Sequence, residues 1–196
     1  MDVMESMKQS VIVPVVVIGD VKDAVPAAQA LLAGGINVME ITLRTAAALE
    51  SIRTVAKECP DMVVGAGTVL NATQAKDVVD AGAKFIVSPG FDEETVKWCI
   101  EKEINVTPGC VTPTEIMAAR KLGLRVVKFF PANVYGGLNA IKNLAAPFTD
   151  MQFIPTGGVN TENIAEFTAS PAIFAVGGSW VCKAADIAQG NFDKIT

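Results

Sequence analysis

Lys128 lies in Val126-Val-Lys-Phe-Phe-Pro131, the most apolar setting of any lysine in the chain. An apolar surrounding disfavours the ammonium form, and a neutral lysine amine attacks carbonyl carbon. The alternative is a lysine whose head snorkels from a strand end, or one half of a buried ion pair. Glu40 is the second candidate, in Asn37-Val-Met-Glu-Ile-Thr-Leu-Arg-Thr45. An unpaired carboxylate inside an apolar strand is costly. Either it closes an ion pair with Arg44, four residues on, or it is a general base beside an arginine that binds a carboxylate. The third group is glycine. Pro155-Thr-Gly-Gly-Val159 and Val176-Gly-Gly-Ser-Trp180 open backbone N–H groups to close approach, as phosphate and other oxyanion sites do. Gly65-Ala-Gly-Thr68 and Ser88-Pro89-Gly90 add small residues and a hydroxyl that a ligand can use, or are ordinary tight turns.

Composition narrows the chemistry further. The 196 residues include no histidine, which removes Ser-His-Asp and Cys-His arrangements and any His-ligated metal. Acid–base work falls to Glu, Asp, Lys, Tyr, Cys or bound water. The net charge of −5 suits neither nucleic acid nor an anionic membrane as a partner. It admits an anionic small molecule if backbone N–H groups and a few local cations receive it. Cys59, Cys99, Cys110 and Cys182 form no Cys-x-x-Cys pair, and are read as reduced and mostly buried thiols of a cytoplasmic protein. No apolar run approaches the ~20 residues of a membrane span. Residues 11–19 imitate a signal peptide's apolar region, but Asp2 and Glu5 before them and Pro14 within them favour a core strand.

The elements that must position these residues alternate along the chain. Short β-branched runs lie at 11–18, 38–43, 62–65, 85–87, 104–106, 126–129, 152–154 and 173–176. Between them fall helix-like stretches at 21–33, 45–59, 73–81, 92–101, 112–121, 138–144 and 160–169, and a last one begins near Ala184. Gly34, Gly35, Gly82 and Gly123 stand where helix C-termini favour glycine. Thr112-Pro113 followed by Glu115 has the form of a capping box. Eight near-equal β/α units without a Gly-x-Gly-x-x-Gly turn predict an α/β chain of one domain, 1–196, folded as a compact (β/α)8 TIM barrel. Active sites of such barrels lie at the C-terminal strand ends. Val126, Lys128 and Phe130 share one strand face, as do Val38, Glu40 and Thr42. Lys84, which precedes the fourth strand, belongs on the opposite end.

The stretches Glu40-Ile-Thr-Leu-Arg-Thr45, Gly65-Ala-Gly-Thr-Val69, Val87-Ser-Pro-Gly90, Lys128-Phe-Phe-Pro131, Pro155-Thr-Gly-Gly158 and Gly177-Gly-Ser-Trp180 resemble, in this order, the 2-keto-3-deoxy-6-phosphogluconate (KDPG) aldolases. That family includes bifunctional enzymes that also cleave 4-hydroxy-2-oxoglutarate (KHG). The resemblance covers nearly the whole chain. It implies a (β/α)8 barrel, commonly a homotrimer, and metal-free class I aldol cleavage with no cofactor. By motif, it implies Lys128 as the Schiff-base lysine and Glu40 as the general acid/base. Arg44 and Thr68 would hold the keto-acid carboxylate, and Pro89 and Phe130 would wall the pocket. Thr156, Gly157, Gly158 and Ser179 would receive the distal end and its phosphate. After the first strand the chain reads Val17-Ile-Gly-Asp20, an acid where many members carry a base. Members continue through a terminal helix past the place where this chain stops at Thr196, so the last helix is expected to be abbreviated.

Two other readings fit parts of the pattern. Paired glycines also suit a phosphate-binding isomerase, epimerase or thiamin-phosphate synthase on the same fold, although these give no role to a lysine on the sixth strand. A catalytically idle barrel kept as a binding or assembly module would bind pyruvate or phosphate without turnover.

Overall fold

The eight apolar runs become eight strands, parallel wherever they pair. In the computed structural model, which describes residues 2–196, they are β1 (Ile12–Val16), β2 (Val38–Thr42), β3 (Val63–Gly67), β4 (Phe85–Val87), β5 (Asn105–Thr107), β6 (Val126–Phe129), β7 (Gln152–Pro155) and β8 (Val176–Gly178). Six form a curled sheet in the order β5-β4-β3-β2-β1-β8, and β6 pairs with β7. Single bridges link the two sheets: Gly109 to Lys128, Phe153 to Ile173, and Thr156 to Gly177. In register, Glu40 stands beside Val15 and Gly65, and Lys128 beside Ile154.

Helices fill the connections: α1 (Val3–Ser10), α2 (Ala24–Ala33), α3 (Ala48–Glu58), α4 (Ala72–Asp80), α5 (Glu93–Glu101), α6 (Pro113–Lys121), α7 (Gly137–Ala145), α8 (Ile164–Thr168) and α9 (Ala184–Ala188). The capping box before α6 is formed, with Thr112 and Glu115 satisfying each other's backbone N–H groups. After β8 the chain makes only the five-residue α9 and a 3-10 turn, Phe192–Lys194. Among the described residues no helix is long and apolar enough to cross a membrane.

Two expectations shift. The last strand is 176–178 rather than 173–176, and β3 runs on to Gly67. In both places glycines that read as loop residues are strand residues, paired in register with Val13, Pro14 and Thr42. A flanking strand holds their backbone extended, and glycine's local freedom does not oppose it. The helix α1, by contrast, has no counterpart among the stretches that periodicity marks as helical. Asp2 caps it by accepting from the Glu5 N–H at 2.9 Å, and it buries Val3, Ser6 and Met7.

Alternation along the strands separates two environments. Met39, Ile41, Val127 and Phe129 face outward into the layers packed between strands and helices. Val13, Val38, Val63, Phe85, Val87, Ile154 and Ala175 pack together on the concave inner side, where Val3 and Met7 of α1 join them. This apolar floor lies under the C-terminal ends of the strands.

Candidate active site

Lys128 and Glu40 place an amine and a carboxylate on this inner side. Their side chains are 5% and 4% exposed, and Lys128 Nζ lies 3.5 Å from Glu40 Oε1. Charges taken out of water are tolerated when paired, and this contact is an ion-pair distance longer than a good hydrogen bond. Met7, Val13, Val87, Thr107, Ile154, Thr156 and Gly177 complete the wall of a cavity around them. Its volume is about 10 Å³, room for about one water molecule. The Phe130 ring lies 5.3 Å from Lys128 Nζ, within cation–π range. The backbone on either side of Gly109 holds this strand end in place: Lys128 N donates to Pro108 O at 2.9 Å, and Cys110 N donates to Lys128 O at 2.9 Å.

At the rim, Arg44 is exposed and donates from Nε to Thr68 Oγ1 at 3.2 Å. The sequence left open a Glu40–Arg44 bridge. The structure pairs Glu40 with Lys128 instead, because Glu40 lies within β2 and faces inward while Arg44 lies past the strand end. Thr68 has φ +59, a left-handed conformation that is strained for a β-branched residue. Its turn aims the hydroxyl at Arg44 instead of continuing the strand. Pro89 is half-buried after β4, and Ser88 Oγ donates to Gly90 O at 2.6 Å, which fixes that turn.

Thr156 is buried at the end of β7, and its hydroxyl lies over Gly177 of β8. Gly157 and Gly158 follow with φ of +90 and +82. Their loop is tied down by Asn133 N donating to Gly157 O at 3.1 Å and Asn163 Nδ2 donating to Gly158 O at 2.9 Å. Ser179 is exposed, two residues past Gly177. Asp20 pairs with Lys22 at 2.9 Å, so the acid after β1 has its own base. Lys84 is exposed, as expected for a residue away from the site.

The structure therefore brings Lys128, Glu40, Thr156 and Phe130 to one place, and Arg44 and Thr68 to one another at its rim. Sequence reasoning missed Met7 and Thr107. Thr107 carries a signal that was available, a hydroxyl on the inward parity of a strand. Met7 carries little, since nothing local says that a helix before the first strand reaches the site. A buried amine touching a buried carboxylate, with space for one water, can form an adduct with a carbonyl and move a proton next to it.

The family model described as KDPG and KHG aldolase matches residues 3–196. The 2-dehydro-3-deoxy-phosphogluconate aldolase of Treponema pallidum is 44% identical over 194 residues, covering 99% of this chain and 92% of its own. The solved KDPG aldolase of Legionella pneumophila, with pyruvate captured at low pH as a covalent carbinolamine intermediate, superposes with a TM-score of 0.95 at 38% identity, covering 100% of this chain and 95% of that one. The 2-keto-3-deoxy-6-phosphogluconate aldolase of Zymomonas mobilis ZM4 with 3-phosphoglycerate superposes with a TM-score of 0.89 at 41% identity, covering 99% of this chain and 94% of that one.

Proposed function

The chain belongs to the family of KDPG and KHG aldolases, and from that premise we propose that it cleaves KDPG to pyruvate and glyceraldehyde 3-phosphate through a Schiff base on Lys128. KHG, which yields pyruvate and glyoxylate, is the second substrate of this reading. The observation that carries the residue roles is the buried 3.5 Å contact between Lys128 Nζ and Glu40 Oε1.

In this mechanism Lys128 first passes its proton to Glu40 or to solvent, and the free amine attacks the C2 ketone. The carbinolamine hydroxyl takes that proton back, leaves as water, and the resulting iminium is an electron sink. Glu40, directly or through one water, takes the proton of the C4 hydroxyl. The C3–C4 bond breaks, its electrons enter the iminium to give an enamine, and the aldehyde leaves. Glu40 gives its proton to C3 of the enamine, which restores an iminium, and water hydrolyses it to pyruvate and free Lys128. Arg44 binds the carboxylate, and its hydrogen bond to Thr68 orients it for that. Pro89 and Phe130 wall the pocket. Thr156, Gly157, Gly158 and Ser179 receive the distal phosphate. The two solved relatives support these two ends of the reading: one holds pyruvate as a carbinolamine, the other 3-phosphoglycerate.

The eight strands are taken as one closed (β/α)8 barrel forming a single domain, which the single bridges on either side of the β6–β7 pair support. The homotrimer that the resemblance implies is proposed here too, with Leu70, Met117, Val134 and Tyr135 as exposed apolar residues available to an interface. Sedimentation equilibrium checks it.

Borohydride reduction in the presence of pyruvate tests the function. It should add a stable mass to Lys128 and abolish cleavage of both keto acids, followed by coupling pyruvate to lactate dehydrogenase. An unmodified Lys128, or undiminished cleavage by Lys128→Ala, would overturn the mechanism. Pyruvate binding without any turnover would favour the idle-barrel reading.

A further inference from the structure

Gly67, at the end of β3, has no backbone reason to be glycine. Its φ is not among those in the left-handed region, and it pairs in register with Thr42 as an ordinary strand residue. The reason is space. A Cβ built on Gly67 would overlap Glu40 Oε1 and come within 2.6 Å of Glu40 Cδ and Cγ, and these are its three nearest atoms. The Glu40 side chain thus leans from β2 across the neighbouring strand and rests on the bare Cα of Gly67.

We infer that Gly67 is a positioning residue: the absence of a side chain there seats the Glu40 carboxylate at its 3.5 Å distance from Lys128. The inference rests on the role proposed above for Glu40. Strand β3 cannot retreat to make room for a methyl group. Gly67 O accepts from Leu43 N at 2.8 Å on the β2 side, and Val69 N donates to Val87 O at 3.3 Å on the β4 side. The next residue, Thr68, is held in its left-handed turn against Arg44. The movable atoms are those at the far end of the Glu40 side chain. An alanine substitution at this position therefore folds and displaces the carboxylate, leaving Lys128 in place on β6. The small residues of Gly65-Ala-Gly-Thr68 then serve a second purpose besides room for a ligand: they build the seat of the acid/base.

The test compares wild type, Gly67→Ala, Glu40→Gln and the double variant in three assays. Borohydride trapping of pyruvate needs the amine alone. Cleavage of KDPG, and exchange of the pyruvate methyl protons with deuterated solvent, also need the placed carboxylate. In Gly67→Ala, trapping should persist while cleavage and exchange fall about a hundredfold, the size of a general acid–base contribution. The same glycine change should cost little more once Glu40→Gln is already in place. Wild-type cleavage by Gly67→Ala, an equal loss of trapping and cleavage, or an undiminished cost in the Glu40→Gln background would each overturn the inference. Failure of the underlying reading looks different: no trapping on Lys128 in wild type, or normal cleavage by Glu40→Gln. If Gly67→Ala is unstable, the glycine change should cost little further stability in a Glu40→Ala background, because the crowding atoms belong to Glu40. A stability cost for Gly67→Ala as large in the Glu40→Ala background as in wild type also overturns the inference.

Discussion

Glu40 on β2 and Lys128 on β6 meet at 3.5 Å inside the curled sheet, although 88 residues separate them in the chain. Neither could stay charged there alone. Each is desolvated by the same apolar floor, so each is the other's main compensation.

This pairing predicts a stability coupling. Lys128→Met should cost about 3–5 kcal/mol, because it leaves a buried carboxylate uncompensated. Glu40→Gln/Lys128→Met should recover most of that loss. Urea unfolding of the two single variants and the double measures it, and strictly additive costs would remove the coupling.

Thr68 carries a conflict between stability and binding. Its φ of +59 costs roughly 1–2 kcal/mol for a residue with a Cβ. Thr68→Gly relieves that cost, partly offset by about 0.5–1 kcal/mol from glycine's freedom in the unfolded chain. The thermal midpoint should hold or rise. The Arg44 head, having lost its acceptor, should bind the keto-acid carboxylate about tenfold more weakly, as expected for one hydrogen bond to a charged group. A higher KM at an undiminished melting temperature is the outcome to look for.

Across the site, Gly177 does for Thr156 what Gly67 does for Glu40, with a stiffer neighbour. A Cβ at 177 would overlap Thr156 Oγ1 and lie 3.0 Å from its Cβ. A short β-branched side chain cannot swing aside as a glutamate can. Gly177→Ala should therefore destabilise by about 1–3 kcal/mol, as overpacking does. Thr156→Ala/Gly177→Ala should regain part of it in thermal unfolding.

The four cysteines are free and buried. Burial pushes the Cys99 thiol up to about 11, and burial with a nearby carboxylate pushes Cys110 and Cys182 up to about 12. A group whose folded pKa is raised stabilises the fold below its unfolded pKa, here about 9, and that stability is lost as pH climbs toward the folded values. Stability should be flat in these groups up to about pH 9 and fall between there and about 12. Alkylation at about pH 8, below the ordinary thiol pKa, should be slow in the native protein and count four thiols once it is unfolded in denaturant. Rapid native labelling would contradict this burial.

Much of the fold is legible in the residues because its signals are local. The capping box at Thr112 and Glu115 and the β-branched runs all act within a few positions. The limits are legible too. The strands β3 and β8 run into Gly67 and Gly178, where local preference says loop and the hydrogen bonds of a neighbouring strand decide otherwise. Helix α1 needed tertiary contacts to be placed, since Met7 finds its partners beneath strands far along the chain.

The amino-acid sequence by itself determined that Lys128 and Glu40 lie in apolar strands, Lys128 on one face with Val126 and Phe130 and Glu40 on one face with Val38 and Thr42, and that no histidine shares their work. Strand alternation is a property of each strand alone. Only the tertiary structure decided who meets whom. It joined Glu40 to the lysine 88 positions away and sent Arg44, four positions away, to Thr68 at the rim. The reason is geometric. Parity holds only within a strand, and β2 ends at Thr42, before Arg44 can share the direction of Glu40. Which strands then face one another across the interior depends on how the whole sheet curls, and no local stretch of sequence encodes that.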